Sequence, residues 1–325
     1  MEYAVRFTAR EQAELLPYEP DASPLGPNEL AGKTLYTLVS AGTEIMGGYL
    51  GDSFPKTPGY AAVFRVEAVG AEVTDLKPGD LAFCMGPHQS RQRVVRNRAL
   101  PVPEGVKPEH VPFARMLGVS MSTLVTTAAR PPDQVLVTGL GLVGHLAARL
   151  FAACGYRVTG CDPSERRRGF AEEFGLRTLP SVPLADPAYQ DRVSLVVECS
   201  GHEQAPVDAV RLVRKRGEVI LIGAPWRKRT DCSAHDLLFP IFFRYVTLRS
   251  GWEWELPMEE TDFRIGSIFG NYAGALNWLA EGRLNMEGVA QRREPSEAQA
   301  VFQELMHDRC ARLAVTFDWT SLGVE

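Results

Sequence analysis

The chain has 325 residues, 45% of them hydrophobic, with 35 Lys and Arg against 40 Asp and Glu, a formal net charge of −5. That length suggests about two domains, each able to bury a core unaided, and the balanced composition excludes a disordered chain. A mildly acidic chain is a poor partner for nucleic acid or an anionic membrane; with no basic start followed by an apolar stretch and no apolar run of about 18 residues, a cytoplasmic protein is expected.

Residues 1–122 read as a mostly β, partly closed domain. Short β-like runs such as 62–70 and 80–84 alternate with turn signals, among them Lys77-Pro78-Gly79-Asp80, where Pro presets φ and Gly tolerates positive φ. Residues 123–251 change character. A β-branched run at 134–138 leads into a glycine turn and a helical segment at 142–154. A strand at 156–160 and a charged helix at 164–174, stopped by Gly175, follow, and then continuous apolar runs at 194–198 and 218–223. Apolar strands alternating with helices imply a parallel sheet covered on both faces. Residues 252–325 return to a mixed pattern, with helices near 273–280 and 297–306 and a last strand at 311–317. The expected layout is an α/β chain in which a doubly wound Rossmann sheet interrupts another domain. Cys84, Cys154, Cys161, Cys199, Cys232 and Cys310 are scattered, with no C-x-x-C pair, and read as reduced thiols.

The glycine turn has chemistry in it. Gly139-Leu140-Gly141-Leu142-Val143-Gly144 is G-x-G-x-x-G directly after a strand and at the mouth of a helix. Gly139 permits the turn, Gly141 lets the backbone approach a pyrophosphate, and Gly144 lets helix and strand pack closely. The helix N-terminus offers free N–H groups to the diphosphate. Asp162, at the end of the next strand and 23 positions after Gly139, suits the ribose hydroxyls and repels a 2′-phosphate, which favours NAD over NADP. Arg166, Arg167 and Arg168 just downstream weigh the other way unless they form a solvated helix face. No Tyr has Lys four residues on, so the short-chain dehydrogenase pattern is missing.

The order of these pieces resembles the medium-chain dehydrogenase/reductase superfamily over nearly the whole chain. The stretches that carry the resemblance are 39–44 (Val-Ser-Ala-Gly-Thr-Glu), 57–70 (from Thr-Pro-Gly-Tyr), 77–82, the glycine motif, 197–201 (Val-Glu-Cys-Ser-Gly) and 222–225 (Ile-Gly-Ala-Pro). The resemblance implies a GroES-like partner domain and a dinucleotide cofactor. It implies cofactor contacts at Thr123, Leu142, Val143, Gly201, Gly223, Pro225 and Arg312, with Thr123 at the nicotinamide and Arg312 at the pyrophosphate. Gly42 stands where some relatives carry a second pyrophosphate arginine.

The zinc of many relatives is not implied. Ala41 stands at the first ligand position, Tyr60 replaces the histidine of Gly-His-Glu, and Val119 falls at the third ligand. A catalytic zinc needs three protein donors, so no metal is expected. Without that Lewis acid another group must handle the proton. Thr43, Tyr60, His88 and Glu44 come from the matching stretches and are the candidates; each also reads as an ordinary structural residue. Ala-Gly-Thr-Glu with Pro-Gly-Tyr is similar to the branch containing bacteriochlorophyllide a dehydrogenase. Trp252 and Trp254 suit stacking on a sugar ring or packing at a domain seam.

The expected activity is zinc-independent hydride transfer between NAD(H) and a secondary alcohol, perhaps of a sugar or polyol. A zinc-free NAD(P)H quinone or enoyl reductase is the second reading, and a non-catalytic dinucleotide-binding protein the third. The expected partners are a small-molecule substrate and a second copy of the chain, paired through the sheet edge near 245–248.

Overall fold

The structure is a computed structural model that describes residues 1–264 and 266–322. The chain forms two compact units, residues 1–115 with 276–325, and residues 116–275.

The first unit opens on a hairpin of β1 (Glu2–Ala9) and β2 (Gln12–Tyr18). β3 (Glu29–Leu38) runs into α1 (Ala41–Glu44), which continues as a π-helical turn over Ile45–Tyr49. β4 (Ala62–Val69), β5 (Leu81–Cys84), β6 (Arg91–Val95) and β7 (Ala99–Pro101) follow. Helix α2 (Phe113–Thr126) carries the chain across the boundary.

The second unit alternates strand and helix. It contains β8 (Gln134–Thr138), α3 (Leu142–Ala153), β9 (Arg157–Cys161), α4 (Glu165–Glu173), β10 (Arg177–Leu179) and β11 (Val193–Glu198). Then come α5 (Gln204–Leu212), β12 (Glu218–Leu221), α6 (Ala234–Arg244) and β13 (Thr247–Ser250). All pairs are parallel, in the order β10-β9-β8-β11-β12-β13, the doubly wound arrangement expected from the apolar strands. The pleat explains why those strands are apolar throughout. Val135, Val137, Leu195 and Val197 enter one core, and their neighbours Leu136 and Val196 enter another on the opposite face.

Helix α7 (Ile268–Ala280) returns the chain to the first unit, followed by β14 (Ala290–Arg293), α8 (Ala298–Met306) and β15 (Ala314–Asp318). The large sheet there has the order β14-β15-β3-β4-β5-β7, with β6 also paired to β3. Phe302 of α8 meets Phe7 edge-on at 4.8 Å and stacks on Tyr49 at 5.4 Å, tying the hairpin and the π-helical turn to the C-terminal helix.

The boundaries differ from the seams near 122 and 251 drawn from the sequence. The first falls inside α2, and the second unit extends to Ala275. The cause is packing. Tyr272 of α7 is fully buried over Gly118 of α2, where a Cβ would come within 2.3 Å of its ring. Asn271 Nδ2 donates to Ser122 Oγ at 3.1 Å. The start of α7 therefore belongs with α2, a pairing with no local signal. For the same reason α7 begins at Ile268, ahead of the expected 273.

Candidate functional site

The second unit brings several expected residues to the carboxyl ends of β8, β9, β11 and β12. Gly139 has φ of +82°, and a Cβ on it would lie 2.7 Å from the Ser200 backbone. A Cβ on Gly144 would lie 1.8 Å from the Gly139 carbonyl oxygen, which forces glycine there. Gly141 faces open space, with nothing within 4 Å of a Cβ. It is the N-cap of α3 and makes no side-chain cap bond, so the helix leaves its first N–H groups available beside that opening. Leu142 and Val143 form the first turn and are half-buried.

Asp162 follows β9 and braces this loop. Its carboxylate accepts from the Leu140 N–H at 2.7 Å and the Ser164 N–H at 2.8 Å, and Arg167 approaches to 3.7 Å. Only 3% of Asp162 is exposed, so it serves the loop as much as it could serve a ligand. Arg168 is turned to the carbonyls of Asp162 and Pro163 at 2.8 and 3.0 Å.

Gly201, Gly223 and Pro225 line a cavity of about 440 Å³ with Glu198 and His202. Sequence reasoning passed over Glu198. Its carboxylate accepts from the N–H groups of Ser200 at 2.6 Å and Gly201 at 3.0 Å, fixing the turn after β11, while burial pushes its pKa up. The acid inside Val-Glu-Cys-Ser-Gly, at the end of an apolar strand, was the available signal. Thr123 Oγ1 and Thr138 Oγ1 are buried without a hydrogen-bond partner. Such unmet hydroxyls, an uncapped helix start and a cradle closed to a Cβ at Gly139 and Gly144 fit a bound diphosphate nucleotide.

The first unit gathers the acid–base candidates. Tyr60 is half-buried and Thr43 exposed. The Tyr60 hydroxyl donates to Ser40 Oγ, and the Arg115 guanidinium lies over the Tyr60 ring, 4.8 Å from its centroid. Burial and the nearby Glu44 carboxylate raise the Tyr60 pKa above its usual 10, against smaller lowering effects from Ser40, Thr43 and Arg115. The phenol is therefore neutral at physiological pH and is a proton donor by default.

His88 is wholly buried. Its Nε2 meets Glu44 Oε2 at 2.9 Å and its Nδ1 meets Thr37 Oγ1 at 2.7 Å. Trp319 Nε1 donates to the same Thr37 oxygen at 2.9 Å, and Glu44 Oε1 accepts the Ser40 N–H at 2.7 Å. Gly59, at φ of +98°, leaves the imidazole its place; a Cβ there would lie 2.5 Å from the His88 backbone nitrogen and 2.8 Å from the ring's Cγ. Ser40, Thr37, Arg115 and Trp319 were missed. Ser40 sits inside a quoted motif and Arg115 is a lone charge in an apolar run, but nothing in the sequence links Trp319 to Thr37.

The remaining candidates are Trp252, Trp254 and Arg312. Trp252 and Trp254, 69% and 45% exposed, follow β13 in the second unit. Arg312 is half-buried in the first unit, just before β15. Of the positions matching a zinc ligand set, Ala41 and Val119 have no donor atom, and the Tyr60 phenol is held neutral. The residues present do not fit a catalytic zinc.

Residues 143–253 match the zinc-binding dehydrogenase family model. The chain is 28% identical over 132 residues to L-galactonate-5-dehydrogenase of Escherichia coli K12; that stretch covers 37% of each protein. It is 23% identical to an alcohol dehydrogenase of Geobacillus stearothermophilus over 275 residues, 71% of this chain and 74% of that one. Among solved structures, galactitol-1-phosphate dehydrogenase from Escherichia coli superposes with a TM-score of 0.81 at 19% identity, covering 97% of this chain and 99% of the other.

Proposed function

We propose that the chain is a member of the medium-chain dehydrogenase/reductase superfamily and acts as a zinc-independent oxidoreductase moving a hydride between NAD(H) and a secondary alcohol or ketone of a sugar or polyol. The observation that carries this reading is the glycine cradle at Gly139–Gly144, pinned by Asp162 and open at Gly141. Similarity to proteins named for L-galactonate and galactitol-1-phosphate supports a polyhydroxylated substrate.

When bound, NADH would supply the hydride that reduces the carbonyl carbon. The uncapped start of α3 would hold the diphosphate. Asp162 retains lone pairs for the ribose hydroxyls and disfavours a 2′-phosphate. Thr123 offers its unmet hydroxyl to the nicotinamide amide. In the first unit the Tyr60 O–H bond breaks as the substrate oxygen takes its proton, and Thr43 presents a second hydroxyl to that oxygen. Glu44 and His88 act through Ser40, whose N–H Glu44 holds, and so position Tyr60. Trp252 and Trp254 give the substrate flat apolar faces.

The same reading makes the protein a homodimer. Strand β13 is an open sheet edge, and Leu238, Phe239, Phe242 and Phe243 of the adjoining α6 are 53–75% exposed. Sedimentation at micromolar concentration should give twice the chain mass, and a monomer would remove that part.

The activity is tested by following NADH absorbance with a panel of keto-sugars, keto-acids, enones and quinones. Turnover on keto-sugars, reduced roughly 10²–10⁴-fold in Tyr60→Phe with KM for NADH held, is expected. Turnover confined to enones or quinones and indifferent to Tyr60→Phe overturns it.

A further inference from the structure

The first unit contains a phenol whose surroundings oppose its ionisation on two counts. Tyr60 is half-buried, and both that burial and the Glu44 carboxylate act against its ionisation. Giving up a proton during ketone reduction leaves a phenolate exactly where a negative charge is least welcome unless something offsets it. His88 does not: its ring is committed to Glu44 on one side and Thr37 on the other. The offsetting charge comes from α2. Arg115 is 5% exposed and lies over the ring face, 4.8 Å from the centroid. A cation over an aromatic face, away from water, is a strong contact of its kind, and a ring that has gained negative charge strengthens it. The groups acting on the phenol are thus Glu44, Arg115, and the hydroxyls of Ser40 and Thr43.

We propose that Arg115, with Ser40, is what lets Tyr60 transfer a proton: the guanidinium over the ring and the hydroxyl at its oxygen stabilise the phenolate formed as the substrate oxygen is protonated. The proposal rests on the assignment of Tyr60 as proton donor and deepens it. In the resting site the Tyr60 hydroxyl donates to Ser40 Oγ. When the Tyr60 O–H bond breaks and the substrate O–H bond forms, Ser40 rotates its own hydrogen to donate to the phenolate oxygen. The hydride and its electron pair come from NADH and end on the substrate carbon, and water later returns a proton to Tyr60. Arg115 supplies a positive charge in a site whose residues do not fit a zinc ion, and it does so as a positioning and electrostatic residue that acts through Tyr60.

The test is an ultraviolet difference titration. The chain has nine tyrosines, so the Tyr60 signal is taken as parent minus Tyr60→Phe, and again in the Arg115→Met background. Without Arg115, Tyr60 should ionise at higher pH, and kcat for ketone reduction should fall roughly ten- to thirtyfold with KM for NADH unchanged. Arg115→Lys should recover part of both. Ser40→Ala should move the titration the same way and guards against a folding defect in Arg115→Met. If Tyr60→Phe abolishes turnover but neither Arg115→Met nor Ser40→Ala moves the titration or kcat, the proposal fails and the role of Tyr60 stands. If Tyr60→Phe turns over like the parent, the role of Tyr60 falls and takes this proposal with it.

Discussion

The two units prepare their sites from different material. In the second, the candidate dinucleotide site is backbone: glycines at Gly139, Gly141 and Gly144, free N–H groups at the start of α3, and a carboxylate, Asp162, spent largely on holding the loop. In the first, it is a hydrogen-bonded network through Tyr60, Ser40, Glu44, His88, Thr37 and Trp319, in which every link but that from the Ser40 N–H to Glu44 joins side chains. A backbone site tolerates almost any change of chemistry nearby but no added atom where backbone approaches backbone, as at Gly144. A side-chain network tolerates small changes of volume but no unpaired partner.

The largest expected effect breaks the backbone site. A Cβ on Gly144 falls 1.8 Å from the Gly139 carbonyl, a backbone atom that cannot move aside. Gly144→Val should abolish NADH binding by fluorescence and lower thermal stability sharply. Gly141→Ala, which adds its atom to open space, should leave the melting temperature nearly where it was, within about 0.5 kcal/mol. Equal damage from the two would show that the cradle is not set by close approach.

The next effect breaks the network. Glu44 and His88 are buried at 5% and 0% exposure and satisfy each other. Removing one partner strands the other, at a cost of about 3–5 kcal/mol. His88→Ala should therefore lower the urea midpoint strongly, whereas Thr43→Ala, on an exposed residue, should leave it near the parent. A His88→Ala protein of normal stability would mean that Glu44 is satisfied without the imidazole.

The same contrast explains what the sequence could disclose. The glycine spacing, the apolar strands and Asp162 are local patterns, because backbone geometry is dictated by residues close together in the chain. The doubly wound sheet and the turn at Gly139 follow from them. The side-chain network joins residues far apart: Thr37 meets Trp319, and Tyr60 meets Arg115. Motif resemblance located Tyr60, His88, Thr43 and Glu44, but their arrangement depends on β3, α1, α2 and the C-terminal segment meeting in space. The unit boundaries were obscured for a similar reason, since Tyr272 is drawn to Gly118 by packing alone.

One side chain in the second unit departs from its backbone character. His145 of α3 is wholly buried, its Nδ1 lacks a partner, and its ring meets Phe174 edge-on at 5.0 Å. Arg149 lies one turn on, its guanidinium over the Phe174 ring, 4.1 Å from the centroid. Burial, and then the Arg149 charge, pull the His145 pKa down to about 3 from 6.5. The folded state thus refuses a proton that the unfolded state accepts. Stability is full above about pH 6.5 and falls as pH drops from there toward about 3, by up to a few kcal/mol. The melting temperature should decline over that window, and His145→Gln should flatten the decline. An unchanged slope would place acid sensitivity elsewhere.

The smallest expected effect is none, and it bears on the first unit. A zinc ion bound for catalysis needs three donors with free lone pairs aimed at one point. Ala41 and Val119 contribute no donor at their positions, and a phenol kept neutral by burial and by Glu44 binds a cation weakly. The nearest carboxylate and imidazole, Glu44 and His88, are committed to each other, so recruiting either for a metal would mean breaking a buried pair. Prolonged dialysis against a strong chelator should therefore leave ketone reduction and the melting temperature where they were, and added zinc should not raise turnover. Activity lost on chelation and restored by zinc would mean that the network around Tyr60 opens to admit a metal, and the division between a backbone site and a closed side-chain site would have to be redrawn.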